Sequence, residues 1–197
     1  MIYEPQGPLG SLPTYLPPVK SKVFVSYHHH GDQNHYDRFS RFISDDYDVL
    51  YDNSPERAIG SGDPEYIMRR LREDFITGSS CTIVLCGAVT SYRKFVDWEI
   101  ACTLDKEHGL IGIELPTRII DLGNVIVPSR LHDNIVSRYA LWTSWNEVFQ
   151  KGAHFVQKLV EQAKDRSKRL SALIKNDRVR MPENEPPPWE RNPRTYL

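Results

Sequence analysis

The chain is poor in several features that would point to a function. It has three cysteines, Cys81, Cys86 and Cys102, an odd number without CxxC spacing and each in an apolar setting. They read as reduced core thiols of a cytosolic protein and offer no disulfide framework or thiolate metal site. No apolar run approaches the roughly 20 residues needed to span a bilayer. Nor do the opening residues Met1-Ile2-Tyr3-Glu4-Pro5 show a basic segment leading into an apolar one, so no secretory leader is expected. Charge of neither sign dominates: 25 basic and 26 acidic residues give a net charge of -1. This balance gives no reason to expect a nucleic-acid partner or an acidic membrane surface. Phosphate-cradling glycines are missing too, since Gly60-Ser61-Gly62 is short and lacks a following lysine. His28-His29-His30 has no matching cysteine or histidine cluster elsewhere, so no metal site is expected.

Proline, by contrast, is abundant and unevenly placed. Five of the 14 prolines fall in residues 1–18 and five in residues 182–193. The ends therefore read as irregular tails, free of regular helix or central strand, that are disordered or drape over a partner. Between them strand and helix signals alternate. Residues 22–27 form a β-branched and aromatic run, 28–34 a polar loop, and 36–43 a short amphipathic helix with Tyr36, Phe39, Phe42 and Ile43 inward. A second strand covers 47–52 and a polar loop 53–62. Asp63-Pro64 then caps and opens a helix whose stripe is Ile67, Leu71 and Phe75, with Gly78 as its stop. The continuous apolar run 81–86 suits a central parallel strand. Another helix follows and ends near Gly109, then a strand over 110–115 and a candidate fifth at 139–142. One long helix is expected from Trp145 to Ile174, with Phe155, Leu159, Val160, Leu170 and Ile174 inward and a basic, solvated stretch from Lys164. This order predicts an α/β fold: a flavodoxin-like open parallel sheet of about five strands with helices on both faces and a C-terminal helical extension. Its site would lie at the carboxyl ends of the strands. The organisation reads as a tail over 1–20, a domain over 21–145, a packed C-terminal helix over 146–176, and a second tail over 177–197.

One acid stands out. At roughly 100° per residue, Glu99 lies between Phe95, Val96, Cys102 and Thr103 on a mostly apolar stripe, while Asp97 projects nearly opposite and is expected to face water. A carboxylate on an apolar stripe has a perturbed proton affinity that catalysis can use. The bland alternative is a surface pair with Lys106 or Arg93.

At these residues the chain resembles a TIR domain. Lys22-Val23-Phe24-Val25-Ser26-Tyr27 is similar to the opening TIR strand, Asp48 to Asp52 to the second, and Ser80 to Leu85 to the third; Asn53 to Gly62 falls where the BB loop falls. Val96-Asp97-Trp98-Glu99-Ile100 resembles the helix that carries the glutamate of NAD-cleaving TIR domains, with Phe95 in the place usually held by tryptophan. The stretch from Val84-Leu85-Cys86-Gly87 through Thr90, Arg93 and Lys94 to Glu99-Ile100 is most similar to the TIR-like family of bacterial Thoeris antiphage systems, and residues 127–135 share that look. The resemblance covers about residues 20–145.

It implies cleavage of the nicotinamide–ribose bond of NAD, with NAD as substrate and no cofactor. Glu99 would be the catalytic residue, stabilising an oxocarbenium-like ribose and deprotonating the acceptor hydroxyl. Phe24, Tyr27, Phe95 and Trp98 would stack on the bases, Arg93 or Lys94 would meet the pyrophosphate, and His28 and Asp52 would edge the pocket. Phe24 reads more readily as core than as ligand-facing, and Asp52 equally as a turn residue. The implied product is ADP-ribose or a cyclic isomer acting on a separate effector protein, with self-association through TIR–TIR contacts. A non-enzymatic, self-assembling adaptor is the main alternative. A phosphoacceptor receiver would need acids where Tyr27-His28 and Cys86-Gly87 stand. A nucleoside deoxyribosyltransferase would share the architecture and a glutamate but take other substrates.

Overall fold

The computed structural model describes residues 20–50, 63–118, 120–121 and 124–191. Five strands build one sheet: β1 (Ser21–Ser26), β2 (Tyr47–Leu50), β3 (Cys81–Cys86), β4 (Gly109–Glu114) and, beyond a two-residue antiparallel hairpin of β5 (Ile120–Asp121) and β6 (Asn124–Val125), β7 (Leu141–Ser144). The order is β2-β1-β3-β4-β7 and every pairing within it is parallel. The apolar runs in β3 and β4 are buried on both faces, as parallel central strands must be. This is the expected α/β, flavodoxin-like architecture.

Helices cover both faces. On one side lie α1 (His29–Ile43), α5 (Trp145–Lys151) and α6 (Ala153–Arg169), against Val23, Val25, Ile83, Leu85 and Ile111. On the other lie α2 (Pro64–Arg70), α3 (Lys94–Asp105) and α4 (Ser129–Val136), against Phe24, Val84 and Leu110. Strand side chains alternate between faces. Ser26 therefore points to the α3 side and Tyr27 to the α1 side.

Several expectations about elements shift. The polar stretch 28–34 is not a loop: α1 begins at His29, and its first half is held by polar contacts rather than by an apolar stripe. Asp32 there is 2 % exposed and accepts from Thr117 Oγ1 at 3.0 Å. Asp63 caps α2 through Glu65 N at 3.0 Å, with Pro64 in the first helical position, and the helix continues as a π-helical stretch, Leu71–Ile76. Ile67 and Leu71 are buried as expected, whereas the Phe75 side chain is outside the described residues. The single long helix from Trp145 is instead two. Gly152, at φ +82°, takes the left-handed turn that ends α5, and α6 stops at Arg169. Its buried stripe is Val156, Leu159, Val160 and Ala163, while Leu170 and Ile174 pack on the opposite side of the sheet.

The C-terminal segment is not an unstructured tail where it is described. Residues 176–191 run along α3 and include a one-turn helix, α7 (Pro188–Arg191), with proline at its start. Asn176 Nδ2 donates to Ala101 O at 3.1 Å and to Asp105 Oδ1 at 2.7 Å near the end of α3. Met181 O accepts from Trp98 Nε1 at 2.8 Å, Asn184 Oδ1 caps Lys94 N at 2.9 Å, and Glu185 N donates to Tyr92 O at 3.0 Å. The strap thus follows α3 from its last turn to its first. No helix among the described residues is long and apolar enough to cross a membrane.

Candidate active site

The connection leaving β1 runs outward to β2, and the one leaving β3 runs the other way to β4. The carboxyl ends of β1 and β3 therefore flank the topological switch point, where open α/β sheets bind ligands. β1 ends in Ser26, and β3 ends in Cys86 followed by Gly87.

Glu99 sits under this edge on the α3 side, 2 % exposed. Ser26 Oγ, itself fully buried, donates to Glu99 Oε2 at 2.5 Å. The backbone of the same residue is held as well: Thr103 Oγ1 donates to Glu99 O at 2.8 Å, and Thr82 Oγ1 of β3 meets Thr103 Oγ1 at 2.7 Å. Two neighbouring strands therefore fix α3 through hydroxyls, and one of those hydroxyls ends on the carboxylate. A surface pairing of Glu99 with Lys106 or Arg93 is ruled out by its burial. A buried carboxylate held by a short hydroxyl donor is a costly arrangement that functional sites retain.

The other expected site residues divide. His28, half-buried beyond the end of β1, has its imidazole pushed down to about 4 by burial and by the neighbouring Arg93 guanidinium, so it is neutral at pH 7. Arg93 leads into α3 and is part-exposed. Phe95 is part-buried with its ring 5.8 Å from that of Trp98, and Lys94 Nζ lies 5.1 Å and 5.7 Å from the two ring centres. Trp98 is 3 % exposed and spends its N–H on the strap, so it is core rather than an open stacking face. Phe24 is fully buried among Ile67, Met68, Leu71 and Trp98, the core position that was its alternative. Tyr27 lies on the opposite sheet face from Glu99, stacked on Tyr36 at 4.2 Å and donating to Gln33 Oε1 at 2.9 Å. The structure does not bring Phe24 or Tyr27 to the Glu99 carboxylate. Asp52 and the 53–62 loop lie outside the described residues. Among the described residues no group of three histidines, cysteines or acids could hold a metal ion.

Two residues that the sequence reading passed over matter here. Asp32, in the first turn of α1, packs so closely on Gly87 that a Cβ there would come within 2.3 Å of its Oδ2. Burial raises its pKa, and Thr117 and Thr90 hydroxyls oppose that rise. An acid four residues after the strand-end histidine, in a first helical turn, was the available signal. Arg130 is the second, 1 % exposed, with Nε 2.9 Å from Asp97 Oδ1. Asp97, expected to face water, is instead tied to Arg130 and to Met181 N at 3.0 Å. No pattern near Asp97 announces a partner 33 residues away.

Residues 24–119 match the family model of the Thoeris protein ThsB, TIR-like domain. Over this segment the chain is similar to the Thoeris ThsB TIR-like family. The segment takes in Glu99, His28, Arg93, Asp32 and three of the five sheet strands whole, with the second half of β1, up to and including β4; β7, α5, α6 and the strap lie beyond it. Among solved structures the chain is similar to the TIR domains of the activated Roq1 resistosome directly recognizing the pathogen effector XopQ, at 12 % identity, over 78 % of this chain and 84 % of that chain, with a TM-score of 0.36. No curated protein matches. Within this TIR-like segment the Ser26 hydroxyl at the end of β1 is bonded to the Glu99 carboxylate of α3, and His28 follows two residues after Ser26.

Proposed function

We propose that this TIR-like domain cleaves the nicotinamide–ribose bond of NAD with Glu99 as its catalytic carboxylate, and that it serves bacterial antiphage defence by making an ADP-ribose-derived signal, cyclic in form, for a separate effector protein. The observation that carries the reading is the buried Glu99 carboxylate, bonded by Ser26 at 2.5 Å beneath the switch point of a segment similar to the Thoeris ThsB TIR-like family.

The chemistry suits one acid. The C1′–N bond breaks and its electron pair stays on the nitrogen, so nicotinamide leaves as a neutral base and needs no general acid. Positive charge builds at C1′, and an adjacent carboxylate stabilises it. An attacking hydroxyl then forms the C1′–O bond and gives its proton to Glu99. Water yields ADP-ribose; an internal hydroxyl yields a cyclic isomer. A neutral His28 adds no positive charge beside the cationic nicotinamide ribosyl group. Arg93 meets the pyrophosphate, and Phe95 offers the part-exposed ring for a base.

At 2 % exposure Glu99 is reached by a substrate only when the crevice opens. In keeping with the TIR resemblance, residues 53–62 would be the self-association surface. The test is a panel of NAD, NADP and deoxynucleosides incubated with the protein and followed by mass spectrometry. Nicotinamide and an ADP-ribose-mass product from NAD, with deoxynucleosides untouched, is the expected outcome. Deoxynucleoside exchange, or an intact panel at high protein concentration, would remove the reading in favour of a transferase or an adaptor.

A further inference from the structure

Asp32 is a buried acid that the proposed chemistry does not use. It stands in the first turn of α1, 2 % exposed. Its partners are hydroxyls rather than a cation: Thr117 Oγ1 donates to Oδ1 at 3.0 Å, and Thr90 Oγ1 reaches Oδ2 at 3.5 Å while also lying 3.3 Å from Leu85 O. Burial pushes its pKa up, and the two hydroxyls and the nearby His35 oppose the rise. A helix dipole favours an acid in a first turn, but that gain needs no burial. Desolvating a carboxyl group among neutral donors costs stability, so its place calls for another account.

The groups it touches supply one. Three segments leave the carboxyl edge of the sheet here. Asp32 belongs to the one after β1, Gly87 and Thr90 to the one after β3, and Thr117 to the one after β4. The carboxyl group fills the space over Gly87, where a Cβ would overlap Cγ and both oxygens. Gly87 N donates to the buried Thr90 Oγ1 at 2.9 Å, which closes the connection on itself. Thr90 opens the 3-10 turn Thr90–Tyr92; Arg93 N then donates to Thr90 O at 3.3 Å, and Asp97 N to Arg93 O at 3.2 Å. Short contacts therefore run without a break from Asp32 to the first turn of α3, and Glu99 lies in the next turn.

We propose that Asp32 is a positioning residue: its carboxyl group pins the β3–α3 connection and the chain after β4 to α1, and so sets where α3 presents Glu99. The part given to Glu99 rests on the NAD reading; the pinning rests on geometry alone. The same contact accounts for glycine at position 87, where any side chain would displace the carboxyl group.

Amide hydrogen exchange on the full chain tests it, with nicotinamide release from NAD measured on the same samples of wild type, Asp32→Ala, Asp32→Asn and Thr117→Val. The reporters are the amides of Gly87, Tyr92, Arg93 and Asp97, which hold the connection, with Ile83 inside β3 as the reference. In Asp32→Ala the four should exchange at least about tenfold faster relative to Ile83, the value of one hydrogen bond to a charged group, and in Thr117→Val by less. Asp32→Asn keeps the shape and an acceptor for Thr117, so it should stay within about threefold of wild type. Catalysis should follow: kcat falls at least about tenfold in Asp32→Ala with KM within about threefold, and Asp32→Asn recovers most of the loss. In Asp32→Ala and Thr117→Val, no change in exchange, or a rise equally large at Ile83, would overturn the pinning. So would Asp32→Asn as loose as Asp32→Ala. Faster exchange with a wild-type kcat would overturn the link to Glu99. If Asp32→Ala does not fold, Asp32→Asn and Thr117→Val decide by the same readings. Absence of nicotinamide release from wild type removes the NAD reading instead, and exchange alone then decides the pinning.

Discussion

Arg130→Met should destabilise the protein far more than its loop-flanked position suggests. The guanidinium is 1 % exposed, and Asp97 opposite it is 13 % exposed. Nε and Nη2 reach the two Asp97 oxygens at 2.9 Å and 3.2 Å. The remaining donors go to Asn176 Oδ1 at 2.8 Å and to the carbonyl of Arg178 at 3.1 Å. Removing one partner of a buried, hydrogen-bonded pair costs about 3–5 kcal/mol, because the other charge is left uncompensated. With roughly 2–4 °C lost per kcal/mol in a chain of this size, the melting temperature should fall by roughly 6–20 °C. Thermal and urea denaturation followed by circular dichroism measures the loss. Hydrogen exchange locates it: amides of Met181 and Glu185, which donate to Asp97 and Tyr92, should lose protection before those of β3. The double change Arg130→Met with Asp97→Leu should recover part of the stability, since a pair replaced whole leaves no orphan charge. A loss under about 1 kcal/mol with unchanged protection at Met181 would refute the claim that this pair anchors the strap to α3.

Other consequences are as direct. Ser26→Ala removes a hydrogen bond to a charged group and should cost about 1.5–3 kcal/mol in urea denaturation, together with most of any NAD cleavage; Ser26→Thr, which keeps the hydroxyl, should restore part of both. Gly87→Ala drives a methyl into Asp32 and should cost about 1–3 kcal/mol, relieved in part by Asp32→Ser in the same chain. His28 has a folded pKa of about 4 against 6.5 unfolded, so the unfolded state binds the proton first as pH falls. The His28 contribution is therefore complete above about pH 6.5 and is lost between there and pH 4. Urea midpoints at pH 7 and pH 5 should differ less in His28→Gln than in wild type.

The sheet was legible because its strands are short apolar runs bounded by polar loops, and a parallel sheet buries such runs on both faces. The burial of Glu99 was legible for a similar reason: its helical neighbours are apolar, whatever packs on them. Asp97 was not, because the residue that takes it out of water comes from a different helix and from a strap about 80 residues on. The first half of α1 escaped for want of an apolar stripe; Asp32 is buried by hydroxyls from two distant loops, a pattern that periodicity does not carry. Gly152 was visible but was read through, since the apolar spacing on either side of it suits one helix as well as two. Aromatic residues near the site misled. In β1, alternation sends Phe24 into the core on one face and Tyr27 to Tyr36 on the other, whereas the small Ser26 between them reaches the carboxylate.

The central claim is that Glu99 carries NAD cleavage. Nicotinamide release from NAD, followed by mass spectrometry at pH 7 in wild type and Glu99→Gln side by side, tests it most directly. Wild type should release nicotinamide with an ADP-ribose-mass product. Glu99→Gln should fall to background while keeping its melting temperature within a few degrees, since Ser26 can still bond the amide oxygen. Equal nicotinamide release by both proteins would contradict the account.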